Sequence, residues 1–163
     1  MKPMEKPMAS GNGGVRWGVL ASRLAGLGIF VLAFFLPAVR LGAAGDAAAH
    51  VFPGWQCASL ALNETMAVFG KSVKGAPPIA ACLMAVSGWL NPLIAIDLLL
   101  SLWRGALMVR RIVGVLVILC MAATWIFFVE EKLTPLVGHF LWIAGAVLIL
   151  LPDALPARGA KAA

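Results

Sequence analysis

The stretch from Ser87 to Arg104 limits what this chain can become more than any other. It is apolar over a length that suits a bilayer, where a spanning helix takes about 20 mainly apolar residues. It ends on Trp103 and Arg104, a pair that sits well at a membrane surface. Yet Asn91, Pro92 and Asp97 lie inside the run. Polar groups in hydrocarbon are costly and turn toward protein or a water-filled cavity, so the remaining helices have to accommodate this one.

Of 163 residues, 62% are hydrophobic and 12% charged, and the charges cluster between long neutral runs; soluble domains are roughly half apolar. The expected fold is an all-α integral membrane protein. It is a four-transmembrane-helix bundle forming one domain at 17–151, with spans at about 17–39, 79–103, 112–129 and 136–151. A disordered cytoplasmic tail at 1–16 precedes the bundle and a polar cytoplasmic tail at 152–163, with Pro152 ending the last helix, follows it. The first outer loop, 40–78, is expected to hold a short interfacial helix at about 55–70, broken by Lys71 to Pro78. The first run has some features of a secretion signal, with small residues Gly42, Ala43 and Ala44 in a cleavage position; its length favours an uncleaved span. Gly18, Ser22 and Gly26 recur at four-residue spacing, as do Ala21 and Ala25, and small residues so spaced let helices approach closely in lipid.

Orientation follows from the basic residues. With both termini inside, the inner segments hold nine of the thirteen: Lys2, Lys6, Arg16, Arg23, Arg104, Arg110, Arg111, Arg158 and Lys161. The outer segments hold Arg40, Lys71, Lys74 and Lys132, matched by Asp46, Glu64, Glu130 and Glu131. This bias places both termini in the cytoplasm and the protein in a cell inner (plasma) membrane. It also accounts for the net charge of +6, so the expected partners are the lipid bilayer and a membrane protein or further copies of the chain, and not nucleic acid.

Arg23 and Asp97 each lie about six residues in from the cytoplasmic end of their spans, roughly 9 Å deep at the helical rise. An Arg23–Asp97 ion pair between antiparallel neighbours is therefore expected, with Arg104 as the rival partner of Asp97. A lone intramembrane acid without a second carboxylate or His makes a poor proton relay. Pro92 lacks a backbone donor and clashes with the carbonyl four residues back, so the second span should kink near Gly88. The Asn91 amide is then placed to serve a freed carbonyl or a neighbouring helix.

At the outer face, Trp55, Leu62, Met66 and Phe69 share one side of the loop helix, and with Cys57 and His139 they form a candidate partner site. His139 is expected at the interface, bonded to a loop carbonyl. His50, Cys57, His139, Glu130 and Glu131 match no metal-ligand or haem spacing, and the sequence names no cofactor. Cys57 and Cys82 both fall toward the outer side, where a disulfide is conceivable, while Cys120 reads as a small core residue. Trp17 and Trp103 suit the inner interface and Trp55 the outer one; Trp89, Trp125 and Trp142 lie deeper and read as packing residues. There is no HExxH, CxxC, paired carboxylate site or nucleophile motif, so no catalytic residue is assigned.

Gly54-Trp55-Gln56-Cys57 followed by Trp89-Leu90-Asn91-Pro92 resembles two elements shared by a group of small bacterial tetraspan inner-membrane proteins. The resemblance implies the same architecture and brings no activity with it. Two functional expectations remain: a non-catalytic accessory or assembly component of a membrane complex, or a small transporter or channel subunit using the kinked second span with Asn91, Pro92 and Asp97.

Overall fold

The computed structural model describes residues 12–42, 49–70, 78–103 and 105–154, the side chains of residues 12–16 and 69 excepted. The Lys71–Pro77 break, Arg104 and its rival pairing, the Phe69 side chain and most of both tails lie outside the described residues. Four helical stretches are long and apolar enough to cross a membrane: Trp17–Phe35, Ile79–Leu100, Leu107–Glu130 and Val137–Ala154. The protein is a multi-pass helical bundle.

Helix α1 covers Asn12–Phe35, beginning inside the expected tail. The residue before a proline disfavours helical geometry, so the chain leaves the helix at Leu36 and Pro37 opens strand β1, Pro37–Leu41. The first span therefore stops short of residue 39. Strand β2, His50–Pro53, and the short β3, Thr134–Pro135, pair antiparallel with the two edges of β1 in the order β2-β1-β3. The strands are short additions to the expected helical bundle. The sheet is small but it ties ends together: Gly54 N–H donates to Leu36 O at 3.1 Å and Leu136 N–H to Ala38 O at 2.8 Å.

Helix α2, Gly54–Gly70, falls where the loop helix was expected. It runs antiparallel to α3, Ile79–Gly88, at close range. Thr65 Oγ1 lies 2.7 Å from Ala85 O and 2.8 Å from Ala61 O, while a Cβ added at Gly88 would meet Ala61 O at 2.6 Å. The second span is interrupted at Trp89, where α3 gives way to α4, Leu90–Leu100. That break lies three residues before Pro92, whose missing N–H leaves the Gly88 carbonyl without its helical donor. The interruption lies next to the carbonyl that the proline leaves without a donor.

Helix α5, Leu107–Glu130, starts well before the expected residue 112, bringing Arg110 and Arg111 onto the helix. Helix α6, Val137–Ala154, runs through Pro152 and carries Asp153 on its last turn. A proline there costs one hydrogen bond, the one its N–H would have given to Leu148 O. Ser22 Oγ donates to that carbonyl instead, at 2.9 Å, so α1 repairs what Pro152 removes.

The α1–α6 crossing is the most extensive helix contact among the described residues. A Cβ at Gly26 would meet Gly145 O at 2.8 Å, and one at Gly145 would meet Phe30 N at 2.7 Å. Gly18, the first member of the four-residue pattern, has nothing within 4 Å of its Cβ position. Beside this crossing Phe30, Leu90, Ile94, Val117 and Ile149 form the core shared by α1, α4, α5 and α6.

Candidate functional site

Two polar constellations sit at opposite ends of this bundle. The first is ionic. Arg23 Nη2 lies 2.9 Å from Asp153 Oδ1, Arg110 Nη2 bonds Asp153 Oδ2, and Arg110 Nε lies 3.3 Å from Asp97 Oδ1. Asp97 is fully buried and Arg110 nearly so. The expected Arg23–Asp97 pair is not formed. Asp153 takes Arg23 because α6 continues past Pro152, and Arg110 takes Asp97 because α5 begins early enough to place that guanidinium against α4. The result is a chain of two arginines and two aspartates with no net charge, spanning α1, α4, α5 and α6. Arg23 Nε and Asp97 Oδ2 are buried without a hydrogen-bond partner among the described residues.

The second is a cavity of about 230 Å³ beneath the sheet. Phe34 of α1 and Ala38 and Val39 of β1 roof it. Cys57, Ala58 and Ala61 of α2 form one wall, with Met84, Ser87 and Asn91 of the second span beside them. Thr124, Phe127 and Phe128 of α5 and His139 and Trp142 of α6 close it. The lining is mostly hydrocarbon, and among the described residues no Lys, Arg, Asp or Glu contributes to it.

His139, on the first turn of α6, faces the protein interior. It is 5% exposed, with its ring centroid 4.7 Å from Phe128, 5.4 Å from Trp125 and 5.6 Å from Trp142. Its Nε2 is buried and unpartnered, so the loop carbonyl expected for it is absent among the described residues. Asn91 does reach a neighbouring helix: its Oδ1 accepts from Trp142 Nε1 at 3.1 Å. Trp142 in turn stacks on Phe30, 6.0 Å between centroids.

The candidate outer-face set divides. Cys57 and His139 turn into the cavity, whereas Trp55, Leu62 and Met66 are exposed on α2. Burial pushes the Cys57 thiol up to about 11. Cys57, Cys82 and Cys120 are all free thiols, so the conceivable Cys57–Cys82 disulfide is not formed. Trp89, read as a packing residue, is largely exposed at the interruption, while Trp17 and Trp103 are the exposed pair expected near a membrane surface. Sequence reasoning missed Arg110 and Asp153 as partners and Thr124 as a cavity residue. The signal for Asp153 was present, since Ser22 and Arg23 both need groups at the far end of the last helix. Among the described residues no group of three or more His, Cys, Asp or Glu is arranged to hold a metal ion. Comparison with known proteins gives no matching family model, no matching characterised sequence and no matching solved structure.

Proposed function

We propose that this chain is a multi-pass protein of a bacterial inner (plasma) membrane, with both termini cytoplasmic. It works as a non-catalytic accessory or assembly component of a membrane complex. The observation that carries this reading is the closed Arg23–Asp153–Arg110–Asp97 chain. Buried charges that neutralise one another fix helices in place, and none of these four lines the cavity. A transport path through the second span would need Asp97 free, and Arg110 holds it.

The partner surface on this reading is the exposed face of α2, with Trp55, Leu62 and Met66. A large aromatic and a flexible Met are residue types that interfaces favour. The reading is tested by mild-detergent purification of a tagged protein at native expression, with mass spectrometry and an absorption spectrum of the eluate. A stoichiometric companion that is lost in Trp55→Ala/Met66→Ala supports it. A clean, colourless homo-oligomer would favour the second reading, a small transporter or channel subunit, which the cavity-lining position of Asn91 recommends.

A further inference from the structure

We infer that the cavity beneath the sheet binds a small, uncharged, lipid-soluble carbonyl compound of the quinone class, its carbonyl oxygen accepting from Asn91 Nδ2 and its ring edge lying against His139. The site needs no partner protein, so it stands or falls separately from the accessory-component reading.

The hydrogen-bonding capacity of the wall defines the ligand. An indole nitrogen can only donate, so the Trp142–Asn91 bond fixes the amide with Oδ1 toward Trp142. Asn91 Nδ2 then keeps two N–H groups for which the described residues offer no acceptor. Ser87 and Thr124 are already committed: their hydroxyls donate to Met84 O at 2.7 Å and Cys120 O at 2.9 Å. The His139 imidazole is left with Nε2 unpartnered, and a buried polar atom without a bond costs about 1–3 kcal/mol. The wall therefore offers unused donors at Asn91, in an otherwise apolar chamber that His139 also lines.

Charge and size narrow the class further. Among the described residues the lining carries no Lys or Arg, which disfavours an ionised fatty acid or phosphate headgroup, since a charge brought there would be buried unpaired. An apolar cavity of about 150 Å³ takes benzene, so 230 Å³ takes one substituted ring and not a whole lipid. Phe34, Phe127, Phe128 and Trp142 line the cavity, and such rings suit the flat face of an aromatic or quinonoid ligand.

The test uses the full chain purified in detergent and a benzoquinone carrying a short alkyl tail, followed by quenching of tryptophan fluorescence, because Trp125 and Trp142 flank His139. Saturable quenching is expected for the wild type. Ala58→Phe, which fills the cavity from α2, should weaken binding at least tenfold. Asn91→Leu should weaken binding of the quinone by about tenfold, the worth of one hydrogen bond, while leaving naphthalene, which has no oxygen, unaffected. Quenching that never saturates, or that is unchanged in Ala58→Phe, would show partition into the micelle and overturn the site. Equal affinity of the wild type for quinone and naphthalene would overturn the carbonyl assignment. Thermal melts show which variants remain folded, and Ala58→Phe decides the matter even if Asn91→Leu does not fold.

Discussion

Replacing Asp153 with Ala removes the carboxylate that both Arg23 and Arg110 reach, and leaves Arg23 without its ion-pair partner in a largely apolar surrounding. Breaking a buried pair from one side costs about 3–5 kcal/mol. A denaturation series in detergent should therefore rank Asp153→Ala as more damaging than Asp97→Ala, after which Arg110 still holds Asp153. Equal losses would mean that the two aspartates do not divide the arginines as the distances indicate. Cys57 offers a second expectation at this scale. The thiolate is the reactive form, and burial pushes this thiol up to about 11, so at pH 8 only about one molecule in a thousand presents a thiolate. Maleimide labelling of Cys57, followed by mass spectrometry, should be slow at pH 8 and rise about tenfold per pH unit toward 11. Labelling already complete at pH 8 would contradict its burial. Of these residues, Arg23 and Asp97 announced themselves in the sequence as charges in need of company. Their true partners did not, because Arg110-Arg111 and Pro152-Asp153 both read as helix boundaries.

Among the elements, the α1–α6 crossing gives the sharpest contrast. Gly26→Leu and Gly145→Leu force a side chain into backbone within 3 Å and should cost about 1–3 kcal/mol or more, whereas Gly18→Leu, with nothing within 4 Å, should leave the melting temperature unchanged. If all three behave alike, the crossing is not where the helices touch. The four-residue spacing in α1 was visible beforehand, yet it did not say which members are used. Ser22 and Gly26 are, because Leu148 and Gly145 stand opposite them. The interruption of the second span was legible too, since Pro92 dictates it. The sheet was not: β1 is five residues long and β3 only two, too short for an alternating pattern, and Pro37 sits at the end of an apolar run that reads smoothly as helix.

For the molecule as a whole, the number and approximate positions of the spanning helices could be read from apolar length alone, which is the strongest signal a membrane chain carries. The sheet and the cavity could not, because both depend on which helix ends meet. The sheet gathers the end of α1 and the starts of α2 and α6 at one pole, and the ion chain gathers Arg23, Asp97, Arg110 and Asp153 at the other. On the proposed orientation the ionic pole faces the cytoplasm. A fluorescent-protein fusion after residue 163 should then glow while a phosphatase fusion there stays inactive, and a phosphatase inserted between Glu131 and Lys132 should be active. The opposite pattern would invert the molecule.

The pairing of Arg23 with Asp153 joins residues 130 positions apart, and that separation is also an interval of time. At about 5–20 residues per second, the ribosome works for roughly ten seconds between making the arginine and making its counter-charge. Throughout that wait the first helix holds a cation without the carboxylate that pairs with it in the finished bundle, and a long side chain of this kind can reach toward the headgroups. Only the last helix brings that carboxylate. A chain stopped before Asp153 has made the arginine but not the carboxylate that the folded bundle sets beside it.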